Sequence, residues 1–265
     1  MQIKSSVETE VLKIEGRERK LTKEQVVVEK ALTIYINDKE FATMVCTPEQ
    51  EKELVVGFLC SEGIITDLEQ LKKVTIDNRE GIVWVETTGE STLSEELFLK
   101  RYLTSCCGKG KSSFYFVNDA RLAQKVESDL VVTPQEISGY VRLLEEEISE
   151  LFRLTGGVHV GALISQGQID HSTVDIGRHN VLDKLYGYAF MQKLDLSQSI
   201  IIFSGRISSE ILIKTAKMGC PIIVGVSAPT DLALRLADEL GITIIGFARG
   251  QRMNIYTHPQ RIIQS

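Results

Sequence analysis

Two adjacent cysteines, Cys106 and Cys107, lie in a run of small and basic residues, Tyr102-Leu-Thr-Ser-Cys-Cys-Gly-Lys-Gly-Lys-Ser-Ser113. Lys100, Arg101, Lys109 and Lys111 surround the pair, and no acidic residue occurs from Lys100 to Ser113. The thiolate is the reactive form of cysteine; nearby cations favour it and an open, glycine-bearing segment keeps it accessible. Nucleophilic attack through sulfur is the chemistry such a pair could do. Cys46, Cys60 and Cys220 stand in apolar strand or helix contexts, where a free thiol behaves as a small hydrophobe. No other cysteine or histidine lies near Cys106 and Cys107 in sequence, whereas zinc needs three or four converging ligands, so no permanently bound metal is expected there.

A second set of residues recurs at predicted strand ends: Ser204-Gly205-Arg206, Ser227-Ala-Pro-Thr230, and Phe247-Ala248-Arg249-Gly250-Gln251-Arg252. Taken singly, a serine before a helix is usually a cap and a glycine after a strand usually serves a turn. Three arginines beside small residues at successive strand ends point further. Arginine pairs bidentately with phosphate, and small neighbours let the backbone approach closely. The group predicts a site for a large phosphorylated ligand. Asp175-Ile-Gly-Arg-His179 follows another strand end; Asp175 could orient His179, and both are candidate site-lining residues. His171 reads as a surface residue, and His258 as exposed or unassigned.

These groups require a scaffold, and the chain of 265 residues is long enough to bury a core in one large domain or two modest ones. Its 43% hydrophobic and 25% charged residues are ordinary for a globular protein, and no apolar run is long enough to span a bilayer. The N-terminal residues show no basic head followed by an apolar stretch, so a cytoplasmic location is expected; five cysteines, an odd number, fit a reducing compartment. A net charge of −6 argues against binding nucleic acid.

The first third alternates as strands do: Val26–Val28, then Leu32–Ile36 and Phe41–Cys46 as a hairpin about Asn37-Asp38. A helix follows with Thr47 as cap and Pro48 at its first position, running to Gly63. Strands Lys73–Asn78 and Gly81–Thr87 complete an α+β unit. Beyond Thr133 a helix carries Ile137, Tyr140, Val141, Leu144, Ile148 and Leu151 on one face. Then come strands His159–Ser165 and Gln168–Asp175, a helix near Asn180–Met191, and alternating strands and helices: Ile200–Phe203, Ser208–Met218, Ile222–Val226, Asp231–Leu240 and Ile242–Phe247. This order predicts an α/β domain of parallel strands with crossover helices on both faces. The expected organisation is a small α+β domain over 20–105, a mobile cysteine loop over 104–113, and an α/β ligand-binding domain over 132–265.

Several of these segments also match a known pattern. Thr155-Gly-Gly-Val-His159, Asp175-Ile-Gly-Arg-His-Asn-Val-Leu-Asp-Lys184, Ser204-Gly-Arg206 with Glu210, Ser227-Ala-Pro-Thr230 and Gly246-Phe-Ala-Arg249 resemble the FdhD family of sulfur carriers required for formate dehydrogenase activity. Thr47-Pro48 and Gly57-Phe-Leu-Cys-Ser-Glu-Gly63 agree, and the resemblance runs from about Val28 to Arg261 in consistent order. It implies a sulfurtransferase-type carrier that accepts sulfur from a cysteine desulfurase as a cysteine persulfide. The sulfur then goes to the molybdenum cofactor, a bis(molybdopterin guanine dinucleotide), before that cofactor enters formate dehydrogenase. It also implies a cytidine-deaminase-like C-terminal domain, a nucleotide segment over Phe247–Arg252, and Cys107 as the persulfide-bearing residue. A homodimer is expected from the fold. The family loop usually reads Cys-Gly-x-Cys-Gly, whereas alignment on Cys107-Gly108 here puts Gly110 at the second cysteine; whether Cys106 replaces it stays open. Two other functions compete with this one. A zinc deaminase of the same fold would need His-x-Glu and a later Pro-Cys-x-x-Cys, which the sequence lacks. A pure cofactor chaperone would not need either loop cysteine.

Overall fold

The computed structural model describes residues 4–88, 102–103, 123–146 and 150–264. The first element is a hairpin of β1 (Ser6–Glu15) and β2 (Glu18–Val27), a two-stranded sheet paired in unbroken register from Ser6 with Val27 to Glu15 with Glu18. The sequence pattern pointed only to its last residues, and the expected domain start at residue 20 falls inside β2. Val27 packs on the larger core described below, so the base of this arm is held by the C-terminal part of the chain.

A five-stranded sheet follows, made of β3 (Lys30–Ile36), β4 (Lys39–Cys46), β5 (Leu71–Asp77), β6 (Ile82–Thr87) and β7 (Tyr102–Leu103), in the order β5-β6-β3-β4-β7. Period-two alternation sends Leu32, Ile34, Ile36, Ala42, Met44, Cys46, Val83 and Val85 to one face, where α1 (Glu51–Ser61) covers them. The opposite face carries the chain's single tryptophan, Trp84, stacked beside Tyr35 at 6.5 Å between ring centres. The end of α1 is set by Gly63 at φ 72°: its N–H donates to the Cys60 carbonyl and that of Ile64 to the Leu59 carbonyl, the paired bonds of a Schellman terminus.

The remainder forms a three-layer unit. Its sheet contains β8 (His159–Ser165), β9 (Gln168–Asp175), β10 (Ser199–Phe203), β11 (Ile222–Gly225), β12 (Thr243–Arg249) and β13 (Arg252–Ile255), ordered β13-β12-β11-β10-β8-β9. The expectation of parallel strands holds for β10, β11 and β12 alone; β8, β9 and β13 run antiparallel to their neighbours. The physical reason is connection length. Two-residue turns can join only antiparallel partners, whereas β10 to β12 are linked by helices. α2 (Pro134–Glu146) and α3 (Glu150–Thr155) cover one face, and α4 (Arg178–Gln192), α5 (Ser209–Met218) and α6 (Asp231–Leu240) the other. Along β10 the faces alternate, Ile200 and Ile202 toward α2, Ile201 and Phe203 toward α4 and α5. The start of α2, expected at Thr133, is a capping box: the Glu136 N–H donates to Thr133 Oγ1, and the Thr133 N–H and hydroxyl donate to Glu136 Oε2. Leu151, read as part of that helix, belongs to α3.

α1 lies between the two units, against α4. Gly57 and Gly187 mark the crossing: a Cβ built on Gly57 would sit 1.7 Å from the Asp183 carbonyl oxygen, and one on Gly187 1.9 Å from that of Glu53. Only hydrogen at both positions lets the backbones approach this closely.

Candidate ligand site and the clamp behind it

The carboxyl ends of β9, β10, β11 and β12 lie along one edge of the six-stranded sheet, where open α/β sheets place their ligands. The residues singled out from sequence fall there in unequal states. Arg206 is exposed. Ser204 is half-buried; its hydroxyl accepts the Val160 N–H and its own N–H donates to the Val160 carbonyl, tying β8 to the end of β10. Gly205 is buried, and a Cβ there would meet the Phe203 ring at 2.6 Å. Ala248 is 1% exposed and belongs to the core under α2.

Phe247 to Arg252 form the end of a hairpin. The strand expected to stop at Phe247 continues to Arg249, which pairs with Arg252 across Gly250 and Gln251, after a register shift between Gly246 and Arg249. Arg249, Gly250, Gln251 and Arg252 are all exposed. Phe247 has φ 52° and is 49% exposed, an uncommon state for a bulky residue. Its N–H donates to the Ser227 carbonyl at 3.3 Å, and Gly246 beside it leaves room for Tyr256 and Pro229. Backbone strain of this kind collects at ligand clamps.

His179, at the start of α4, is placed within 3.2 Å of the Glu210 carboxylate in the first turn of α5. Asp175 does not orient it. That carboxylate is fully buried and fully used: Oδ1 accepts from the Gly177 N–H at 2.8 Å and Asn180 Nδ2 at 2.7 Å, while Oδ2 accepts from Lys184 Nζ at 2.7 Å, Thr47 Oγ1 at 3.1 Å and the Thr47 N–H at 3.2 Å. Lys184, also fully buried, donates further to Thr47 Oγ1 and the Val174 carbonyl. Thr47 is therefore not the cap of α1, which begins after Gln50 with no side-chain cap. Both uses need a short hydroxyl before a helix, and only the partner, 128 residues away, separates them. The neighbouring Asp183 forms a second bridge: Ser61 Oγ donates to it at 2.6 Å, and Lys214 Nζ donates to both its oxygens at 2.5 Å. Burial pushes the Asp183 carboxyl above the ordinary aspartate range, and Lys214 and Ser61 pull it back.

Three of the five cysteines are accounted for. Cys46, Cys60 and Cys220 are buried, and burial pushes the thiols of Cys46 and Cys220 up to about 12 and raises that of Cys60 as well. They stay protonated at neutral pH and offer no nucleophile. Cys106 and Cys107 lie outside the described residues; β7 brings the chain to the edge of the five-stranded sheet beside Thr43 and Met44, four residues before Cys107. Among the described residues no three His, Cys, Asp or Glu side chains converge as a metal's ligand set would require. Among them, too, no helix is long and apolar enough to cross a membrane.

His171 is half-buried rather than a surface residue. Its ring stacks on Tyr188 with centres 3.8 Å apart, and Gln50 Nε2 donates to its Nε2. Burial lowers its pKa against the raising pull of Glu53 and Asp170. Burial, helped by Arg178, also lowers that of His159, which Asp175 raises. Both rings are thus favoured neutral in the folded chain, while the unfolded chain binds protons from about 6.5 downward. Their contribution to stability is complete above that pH and falls as pH drops through 6.5 toward the folded values. Urea midpoints measured from pH 8 to pH 5.5 should decline below about pH 6.5, and His171→Gln should flatten part of that decline. A midpoint that rises on acidification would contradict this assignment.

The architecture is that of an α/β protein in which a three-layer domain built on a six-stranded sheet carries a smaller α+β unit. The chain belongs to the FdhD/NarQ family, whose model matches residues 27–263. It is similar to the sulfur carrier protein FdhD of Halalkalibacterium halodurans, 48% identical over 91% of this chain and 89% of that one. It is also similar to that of Listeria innocua, 49% identical over 89% and 91%. Among solved structures it resembles a protein assigned as a formate dehydrogenase accessory protein from Desulfotalea psychrophila. The TM-score is 0.80 and the identity 24%, over 98% of this chain and 100% of the other.

Proposed function

We propose that this protein carries sulfur for the maturation of formate dehydrogenase, taking it as a persulfide on Cys107 from a cysteine desulfurase and delivering it to the molybdenum bis(molybdopterin guanine dinucleotide) cofactor. The single observation that carries the reading is the family match across residues 27–263. In the loading step the Cys107 thiolate attacks the outer sulfur of the donor's persulfide. The donor's S–S bond breaks, its cysteine leaves as thiolate, and a new S–S bond forms on Cys107. The buried, protonated state of Cys46, Cys60 and Cys220 supports assigning this role to the Cys106-Cys107 pair.

The cofactor is the cargo, and its guanine nucleotide end is proposed to bind at the sheet edge bearing Arg206 and the Phe247–Arg252 hairpin. Exposed guanidinium groups can form charge-assisted pairs with a diphosphate there. Arg206→Ala and Arg249→Ala are each expected to weaken GDP binding about tenfold or more in titration calorimetry, the loss of one charge-assisted bond of about 1.5–3 kcal/mol. Unchanged affinity in both variants would move the site elsewhere. A chain that fails to restore formate dehydrogenase activity to cells lacking their own carrier would overturn the function as a whole.

A further inference from the structure

The most completely satisfied polar group in the described structure is the Asp175 carboxylate, and its two oxygens serve different parts of the molecule. Oδ1 pins both ends of the turn that starts α4, through the Gly177 N–H and Asn180 Nδ2. Oδ2 holds Thr47, which follows β4 of the smaller unit, together with Lys184. Asn180 Nδ2 also donates to the Val45 carbonyl, at 2.8 Å, so the turn holds both β4 and the residue that follows it. Between the pinned residues stand Arg178 and His179. These are the residues of α4 nearest the ligand edge, with His179 against Glu210 and Arg178 acting electrostatically on His159.

A fully buried ammonium and carboxylate are a poor means of gaining stability, because the desolvation of both charges offsets much of their attraction; their best-attested use is to fix one arrangement among several. A hydrophobic contact between β4 and α4 would have joined the units without fixing the turn. Resting on the nucleotide site proposed above, we infer that Thr47 is a positioning residue for that site: through Asp175 it sets the Arg178-His179 turn, and so couples ligand binding at the sheet edge to β4 of the other unit. Because β4 also pairs with β7, the coupled strand is the one beside which the chain runs on toward the cysteine pair.

The coupling predicts a response at a distance. In hydrogen exchange of the whole wild-type protein, GDP should slow the amides of residues 43–47 as well as those of 176–180 and 204–207. Thr47→Val removes Oγ1 from both Asp175 and Lys184. It should weaken GDP binding about tenfold in calorimetry, while Thr47→Ser, which restores the hydroxyl, should bind within about twofold of wild type. Protection confined to residues 176–180 and 204–207, with 43–47 unchanged, would overturn the coupling and leave the nucleotide site standing. No protection in any segment would remove the nucleotide site and the coupling together. Should Thr47→Val fail to fold, the wild-type exchange pattern alone decides. A folded Thr47→Val that binds GDP as wild type does would also overturn the inference.

Discussion

Replacing Cys107 by serine is expected to abolish activation of formate dehydrogenase, whereas Cys106→Ser is expected to do less. The asymmetry rests on the resemblance of Cys107-Gly108 to the first cysteine of the family loop, proposed above as the carrier, and on the setting of the pair, with Lys109 and Lys111 following and no acid from Lys100 to Ser113. A serine hydroxyl keeps the size of the side chain but cannot hold a persulfide, so the effect should be all or none rather than graded. The measurement is formate dehydrogenase activity in cells that make only the variant carrier, with the level of the carrier checked in parallel. Wild-type activation by Cys107→Ser would refute the assignment, and inactivity of Cys106→Ser alone would exchange the two roles.

The second large effect is expected at the crossing of α1 and α4. Gly57→Ala puts a methyl group 1.7 Å from the Asp183 carbonyl oxygen, a backbone atom that cannot rotate away. Overpacking by flexible side chains costs about 1–3 kcal/mol. Here the helices themselves must separate, straining the Ser61 and Thr47 bridges that depend on their spacing, so a loss above about 3 kcal/mol or a failure to accumulate is expected. Gly139 supplies the opposite case. It lies inside α2 with no atom within 4 Å of an added Cβ, so Gly139→Ala should stabilise by about 0.5–1 kcal/mol through lower backbone entropy in the unfolded chain. Urea unfolding midpoints of the two variants should move in opposite directions; a Gly57→Ala protein as stable as wild type would contradict the packing described.

How far these features could be read from the sequence depended on whether their cause was local. Ile200–Phe203 is buried on both faces and reads as an apolar run; helix Asp231–Leu240 has a broad apolar stripe and a following glycine, and its limits are those expected. The β1–β2 arm escaped because only its base, at Val27, meets a core. Leu12, Ile14 and Leu21 stay exposed among charges, and the short alternation Val7-Glu8-Thr9-Glu10-Val11 stands in a run too charged to suggest a buried face. β13 escaped for a related reason, with three of its four residues exposed. The clamp was misread because its meaning is not local. Thr47 before Pro48 carries every mark of a helix cap, and Asp175 four residues before His179 looks like its orienting group. Only the folded chain gives both to each other and to Lys184. The place of Arg206 just after a strand was legible, yet the hairpin that carries Arg249 and Arg252 was not, since Gly250-Gln251 is a weak turn signal between polar residues.

Whether the chain itself carries sulfur is read most directly from the mass of its cysteine peptides after incubation with a cysteine desulfurase and cysteine. The peptide holding Cys106 and Cys107 should gain about 32 Da, one sulfur atom, with fragment ions placing it on Cys107 and a reducing thiol removing it. The peptides of Cys46, Cys60 and Cys220 should be unchanged. A desulfurase that turns over while every cysteine of this protein keeps its original mass would contradict the account.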